Sequence, residues 1–394
     1  MIKIFISCLC LLSIVLSVDV NFSLETKYGD GSKVTSLSSG APIYSEYRFI
    51  ENILDINGTL ENGLYFNAQY EYSNPPIFGN SYNDFTKMFI EYYSDPFSIK
   101  VGDIYSLYGR GLTMNIIQNQ NIDYDNSIQG LELKYTYNDL SFFSVLGRSN
   151  YNYRSNPAKT LTDRVLDNSI LFVGVESYFN QLGVIQYSYL HEESIIGIED
   201  MNDYLSIPSV IATELGNRIS SQELNNIVSD TLVTVDHNLS WEYQLFGTDL
   251  YFEKVWNTYT KILGDTDSGS KLYLSVYFDI AGTGITYEYK NYDQKYFIPT
   301  IAGAPIVFRE GSSTLASRFN HSMNWNDEVG HQIEITRSIG SQLKWLGNVS
   351  FSHKHASYGK NYEKNIKGLY NKYMDILSTN LDVLQFNENK NNFL

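Results

Sequence analysis

Alternation of apolar and polar side chains over short runs constrains this chain more than any other feature. Residues 63–73 read Gly-Leu-Tyr-Phe-Asn-Ala-Gln-Tyr-Glu-Tyr-Ser. Leu64, Phe66, Ala68, Tyr70 and Tyr72 then face one way, and Tyr65, Asn67, Gln69 and Glu71 face the other. Successive side chains of a strand point to opposite faces, so a period of two becomes one greasy face and one wet face. Aromatic residues carry much of the pattern, with 33 Tyr, 21 Phe and 4 Trp in 394 residues.

Runs of this kind predict strands at 22–28, 44–56, 63–73, 85–93, 97–101, 131–137, 140–146, 170–179, 183–191, 231–243, 245–256, 271–280, 284–292, 330–337 and 343–353. Tight junctions such as Asn138-Asp139 and Ala281-Gly282-Thr283 predict hairpins. Long polar segments at 73–84, 148–168, 192–230, 257–270 and 293–329 alternate with these turns. Many runs exceed the roughly 5–6 residues of a soluble sandwich strand. They approach the roughly 9–11 residues that cross a bilayer at a tilt. Short turns on one side and long loops on the other are the pattern of outer-membrane barrels. The expected fold is all-β: an antiparallel transmembrane β-barrel with long outer loops and about 14 or more strands.

The N-terminus agrees with export. Residues 1–17 hold Lys3, an apolar run and the small-residue end Val15-Leu16-Ser17, which reads as a cleaved signal peptide. The run is short for a spanning anchor, which needs about 20 apolar residues. Too little apolar sequence precedes Cys8 for a lipoprotein site. Cys8 and Cys10 are the only cysteines, so the mature chain has no disulfide, thiolate ligand or cysteine nucleophile. The domain reading is therefore 1–17 signal peptide, 18–355 barrel and 356–394 a helix-like or disordered tail. Helical spacing of apolar residues recurs at 203–228 and 361–385. The end lacks the alternating, aromatic-tipped strand that closes a barrel, which predicts a C-terminally truncated chain.

Acidic residues outnumber basic ones, 44 to 28, for a formal charge of −16. That balance opposes nucleic-acid binding, which needs basic patches. Acids that line a lumen favour cations, whereas acids in loops merely solvate them.

The densest polar motif lies between 99 and 130. Gly102, Gly109, Gly111 and Gly130 permit turns or close backbone approach. Arg110, between two of them, can bring its fork near Asp103, Asp123 or Asp125. Such a group is either a clamp that fixes a bend or a constriction whose opposed charges set a transverse field. Asp103, Arg110, Asp123 and Asp125 are thus the candidate lumen charges.

This motif resembles that of the porin-like outer-membrane β-barrel proteins of Bacteroidetes-type bacteria, a family of unknown function. The pattern is Gly-Asp-x-Tyr-x-x-Tyr-Gly-x-Gly-Leu followed by Asp-Asn-Ser-x-x-Gly. Here it is met by Gly102, Asp103, Tyr105, Tyr108, Gly109, Gly111 and Leu112, then Asp125, Asn126, Ser127 and Gly130. A second match runs from Phe319-Asn320-His321 to Asn326-Asp327-Glu328-Val329-Gly330-His331-Gln332-Ile333-Glu334. The resemblance covers most of residues 1–350. It implies a membrane location and no known substrate.

Other chemistry is sparse. His353 and His355 share a strand face, but no third metal ligand is apparent. No Gly-x-Ser-x-Gly elbow, phosphate loop or dinucleotide fingerprint occurs. The expectation is no enzyme and no cofactor or metal. The expected partners are outer-membrane lipid and small solutes or ions. Passive conduction is the leading function. A non-conducting barrel that binds or anchors through its outer loops is one alternative. A secreted β-rich adhesin or carbohydrate-binding protein, with aromatic rows as sugar platforms, is the other.

Overall fold

The computed structural model describes residues 19–35, 43–60, 62–75, 81–116, 118–119, 124–153, 164–195, 231–260, 266–293, 327–340, 343–353 and 355. Within them the strands are β1 (Asp19–Thr35), β2 (Ile43–Thr59), β3 (Leu64–Ser73), β4 (Tyr82–Ser94), β5 (Phe97–Ile104), β6 (Leu107–Tyr108), β7 (Met114–Asn115), β8 (Gln118–Asn119), β9 (Tyr124–Asp125) and β10 (Ile128–Tyr137). They continue as β11 (Leu140–Tyr153), β12 (Arg164–Phe179), β13 (Gly183–Ile195), β14 (Thr231–Leu245), β15 (Thr248–Thr260), β16 (Thr266–Ile280), β17 (Thr283–Asp293), β18 (Asp327–Ile339) and β19 (Leu343–His353). The chain is all-β and antiparallel, as the alternation predicts. No helix among the described residues is long and apolar enough to cross a membrane.

Two compact units divide the chain. The first draws on Met1–Tyr105, Ile116–Tyr137 and Phe143–Val165, and the second on Ser106–Asn115, Asn138–Phe142 and Leu166–Leu394.

In the first unit the strand order is β1-β2-β3-β4-β5-β10-β11. The β4–β5 ladder shows how the faces divide. Ile90 opposes Val101 and Tyr92 opposes Ile99. Both Ile90 and Val101 are 53% exposed. On the other face Glu91 opposes Lys100, in an ion pair of 3.1 Å. Lys100 in turn opposes Glu132, which is buried. The greasy face is the open one.

The second unit repeats this inversion over a meander, β12-β13-β14-β15-β16-β17-β18-β19. In β14 the buried set is Thr234, Asp236, Asn238 and Ser240. Val233, Val235, Leu239, Trp241 and Tyr243 take the opposite, more open face. Register carries the polar set sideways. Ser240 opposes Gln186 in β13 and Glu253 in β15. Glu253 opposes Tyr273, and Tyr273 opposes Lys290. In water a soluble sheet hides its apolar face, because each buried aliphatic side chain gains about 1.5–3 kcal/mol. Here polar residues occupy that position.

Turn chemistry joins the strands. Phe246 and Gly247 between β14 and β15 have φ of 50° and 78°. Ala281 and Gly282 between β16 and β17 have φ of 52° and 78°. Positive φ at both central residues matches the right-handed twist of the flanking strands. The β14–β15 turn lies inside the run predicted as a strand from 245, so that boundary moves to Thr248.

Strand ends also run past the predicted ones. β11 reaches Tyr153, β12 begins at Arg164, β13 reaches Ile195 and β16 begins at Thr266, all within segments read as loops. Ladder hydrogen bonds join backbone groups, so pairing continues where the side chains turn polar on both faces. The signal peptide 1–17, the helical spacings at 203–228 and 361–385, and the tail 356–394 fall outside the described residues.

Candidate functional site: a segment fixed to a polar face

The glycine-rich motif divides between the two units. In the first, Gly102 and Asp103 lie near the end of β5, which closes on Ile104. Gly102 has φ of 112°, and a Cβ there would lie 2.3 Å from the Met88 carbonyl oxygen. Asp103 is buried, and its Oδ2 accepts a hydrogen bond from the Met88 backbone N–H. Gly102 also opposes Gly130 of β10, where a Cβ would meet the Leu146 carbonyl oxygen. Glycines thus let neighbouring backbones approach at the point where the β4–β5 ladder stops.

In the second unit residues 106–115 form a small hairpin, β6 against β7. Gly109 and Gly111, with φ of 61° and 82°, flank Arg110 at its tip. The hairpin is fixed to the polar face of β12–β17. Glu253 is the centre. Its Oε2 accepts from the Arg110 backbone N–H at 2.8 Å and from the Tyr251 hydroxyl at 2.6 Å. Its Oε1 accepts from Asn238 Nδ2 at 2.8 Å. A carboxylate that leaves water needs such a set of donors. Gly109 is the residue that admits it: a Cβ there would lie 2.9 Å from both Glu253 Oε1 and the Tyr251 hydroxyl oxygen.

A second anchor lies beside the first. Lys271 Nζ donates to the Leu112 carbonyl oxygen and pairs with Asp236 Oδ2 at 3.3 Å. Both charged side chains are 0% exposed. Apolar contact completes the attachment. Leu112 packs with Tyr251, Val255, Tyr273 and Tyr292, and Tyr108 meets Phe172 at a ring separation of 4.8 Å.

The Arg110 side chain takes a different path from its backbone. Its guanidinium lies over the Tyr251 ring, 4.8 Å from the centroid, and the residue is exposed. Among the described residues no carboxylate forms an ion pair with it. Asp123 lies outside the described residues, and Asp125 is placed as backbone in β9 with its side chain undescribed. The alternation could not single out Glu253, Tyr251, Lys271, Asp236 or Asn238. Each is simply the wet partner in an alternating strand, and Glu253 is 143 residues from Arg110. Their one signal is that charges recur at inward positions of three successive strands, β14, β15 and β16.

Other candidates are spread out. His355 Nε2 meets Asn291 Oδ1 at 3.0 Å, and the side chain of His353 is not described. No cluster of metal-ligating side chains occurs among the described residues.

No curated protein matches the chain. Among solved structures it is similar to OccK3 (OpdO) of Pseudomonas aeruginosa, at 10% identity over 87% of this chain and 81% of that one, with a TM-score of 0.46. It is similar to the outer membrane protein OpdK of the same organism, at 11% identity over 85% and 82%, with a TM-score of 0.44. It is also similar to in-vitro folded OmpT, an outer membrane protein of Vibrio cholerae, at 13% identity over 69% and 88%, with a TM-score of 0.32. At these scores nothing those proteins carry or assemble into passes to this chain. The family of unknown function DUF6029 matches residues 48–386, and the chain belongs to that family.

Proposed function

We propose that this chain is an exported outer-membrane β-barrel that passes small solutes or ions passively through a polar lumen. One observation supports the reading above the rest: the sheets are inside out. Leu, Ile, Val, Phe and Tyr stand open on one face, while Asp236, Glu253 and Lys271 are buried on the other. Lipid accepts the first face, and a hydrated interior accepts the second. A secreted adhesin would have to keep long apolar rows in water, where patches of that extent drive association.

The polar face of the second unit sets a charge preference. Its inward-pointing acids include Glu176, Glu192, Asp236, Glu242, Glu253, Glu288 and Glu334, against Lys271, Lys290, Lys344 and Arg110. An excess of carboxylates along a lumen selects cations.

The test is direct. The protein purified from the outer-membrane fraction should migrate differently on gels before and after boiling. It should give stepwise conductance in planar bilayers, with a reversal potential favouring K+ over Cl− across a KCl gradient. Recovery as a water-soluble protein, with one mobility in both conditions, would overturn the reading. The fixed hairpin 106–115 favours a second reading, a barrel that binds without conducting. Heat-modifiable protein that gives no steps would select it.

A further inference from the structure

The exposed end of the hairpin carries a charge that its attachment does not use. Its use by a solute rests on the polar face of the second unit being the one that solutes meet. Arg110 presents a guanidinium on the Tyr251 ring, and no carboxylate engages it among the described residues. The rings of Tyr251 and Tyr273 lie 6.0 Å apart and form a buried floor, packed with Leu112. Acidic groups border that floor on either side. Glu242 is the cross-strand neighbour of Tyr251 and is exposed. Glu288 holds the Tyr273 hydroxyl at 2.6 Å and is half-buried.

Below this floor the charges are consumed. Glu253, Lys271 and Asp236 hold the hairpin and are buried. Above it one cation and two carboxylates remain within reach of water: Arg110 at the hairpin tip, Glu242 on β14 and Glu288 on β17, with β15 and β16 between the two acids. A guanidinium backed by an aromatic ring leaves its outer N–H groups to a planar carboxylate. A carboxylate within reach of water suits an ammonium group through charge.

We infer that Arg110, with Glu242 and Glu288 across the Tyr251–Tyr273 floor, binds small zwitterions that carry a free carboxylate and a free ammonium, namely amino acids and short peptides. A singly charged solute satisfies one side of this site and is repelled or left unpaired by the other. A neutral solute of equal size gains neither contact. Cation preference in the lumen as a whole brings no such discrimination, because it treats every carboxylate as unfavourable.

Calorimetric titration of the full-length protein in detergent tests the site, using four peptides of nearly one size. Triglycine carries both charges. Its amide keeps only the ammonium, N-acetyl-diglycine keeps only the carboxylate, and N-acetyl-diglycinamide has neither. Triglycine should bind about tenfold or more tightly than the neutral peptide, in keeping with two charge-assisted contacts. Arg110→Gln should bring triglycine down to the level of its amide, and Arg110→Lys should keep part of the difference. Glu242→Gln and Glu288→Gln together should bring it down to the level of N-acetyl-diglycine. Equal affinity for triglycine and the neutral peptide overturns the inference. So does an Arg110→Gln protein that folds, by its heat-modifiable band, and still separates the two. Entry of arabinose into proteoliposomes reads the pore independently. Triglycine binding without arabinose entry keeps the site and removes the pore, and the converse keeps the pore and removes the site.

Discussion

Glu253 concentrates the physics of the polar face in one side chain. It satisfies a backbone donor of the hairpin, a tyrosine hydroxyl and an asparagine amide at once. Glu253→Ala leaves all three donors without an acceptor in a buried place. The expected loss is about 2–4 kcal/mol, and Glu253→Gln, which keeps one acceptor oxygen, should lose roughly half as much. Urea titration of the folded band in detergent reads both. Gly109→Ala attacks the same joint from the other side. The substitution puts a Cβ at φ of 61° and within 2.9 Å of Glu253 Oε1. About 1–2 kcal/mol of backbone strain is expected before any displacement of the hairpin. If Gly109→Ala matches wild type in the urea titration, the attachment of the hairpin through Glu253 is wrong. At this scale the sequence was half legible. The density of Gly, Asp and Arg between 99 and 130 marked where the chain leaves the ladder. It did not reveal what holds the departing segment, because hydrogen-bond partners separated by 143 residues leave no periodic trace.

Strand centres were readable and strand ends were not. Wherever one face is apolar, the period of two fixes both the strand and its register, since a slip of one residue exchanges the faces. The ladders of β16 with β17 and β18 with β19 follow the expected pairings for that reason. Beyond the apolar band the alternation fades while backbone pairing continues, so β12 and β13 extend well into segments that read as loops. Turns were placed correctly at Asn138-Asp139 and at Ala281-Gly282, and two residues early where a bulky residue took a glycine-like conformation before its glycine. Phe246 is the example, at φ of 50° and 99% exposed. A residue with no packing contact to lose and a disfavoured backbone should improve on replacement. Phe246→Asn is expected to be neutral or stabilising by up to about 1 kcal/mol, because Asn tolerates the left-handed region. Gly247→Val, at φ of 78°, should destabilise the same hairpin. The temperature at which the folded band converts on gels ranks the two. A lower temperature for Phe246→Asn than for wild type would mean that the ring packs against lipid or a partner.

For the whole molecule, the issue is which solvent lies against each face. Composition alone is neutral on this, since a mean hydropathy of −0.24 suits a soluble protein as well as a barrel. Alternation gives two faces and does not say which is outside. Burial supplies the missing sign, with the polar side of β13, β14 and β15 closed and the apolar side open. A pair of substitutions on β18 turns this into a measurement. Ile333 is 46% exposed on the apolar face, and Thr336 is half-buried on the polar one. If the apolar face meets lipid, Ile333→Arg places a cation in hydrocarbon, at a cost of about 2–4 kcal/mol near the bilayer centre. Thr336→Arg puts the same group into a hydrated interior and should cost far less. If water bathes the apolar face instead, the order reverses. The arginine at 333 is then solvated freely, while the one at 336 crowds a half-buried site. Folding yields of the two variants into vesicles, compared with their solubility when lipid is withheld, distinguish the two solvents without any assumption about what the lumen carries.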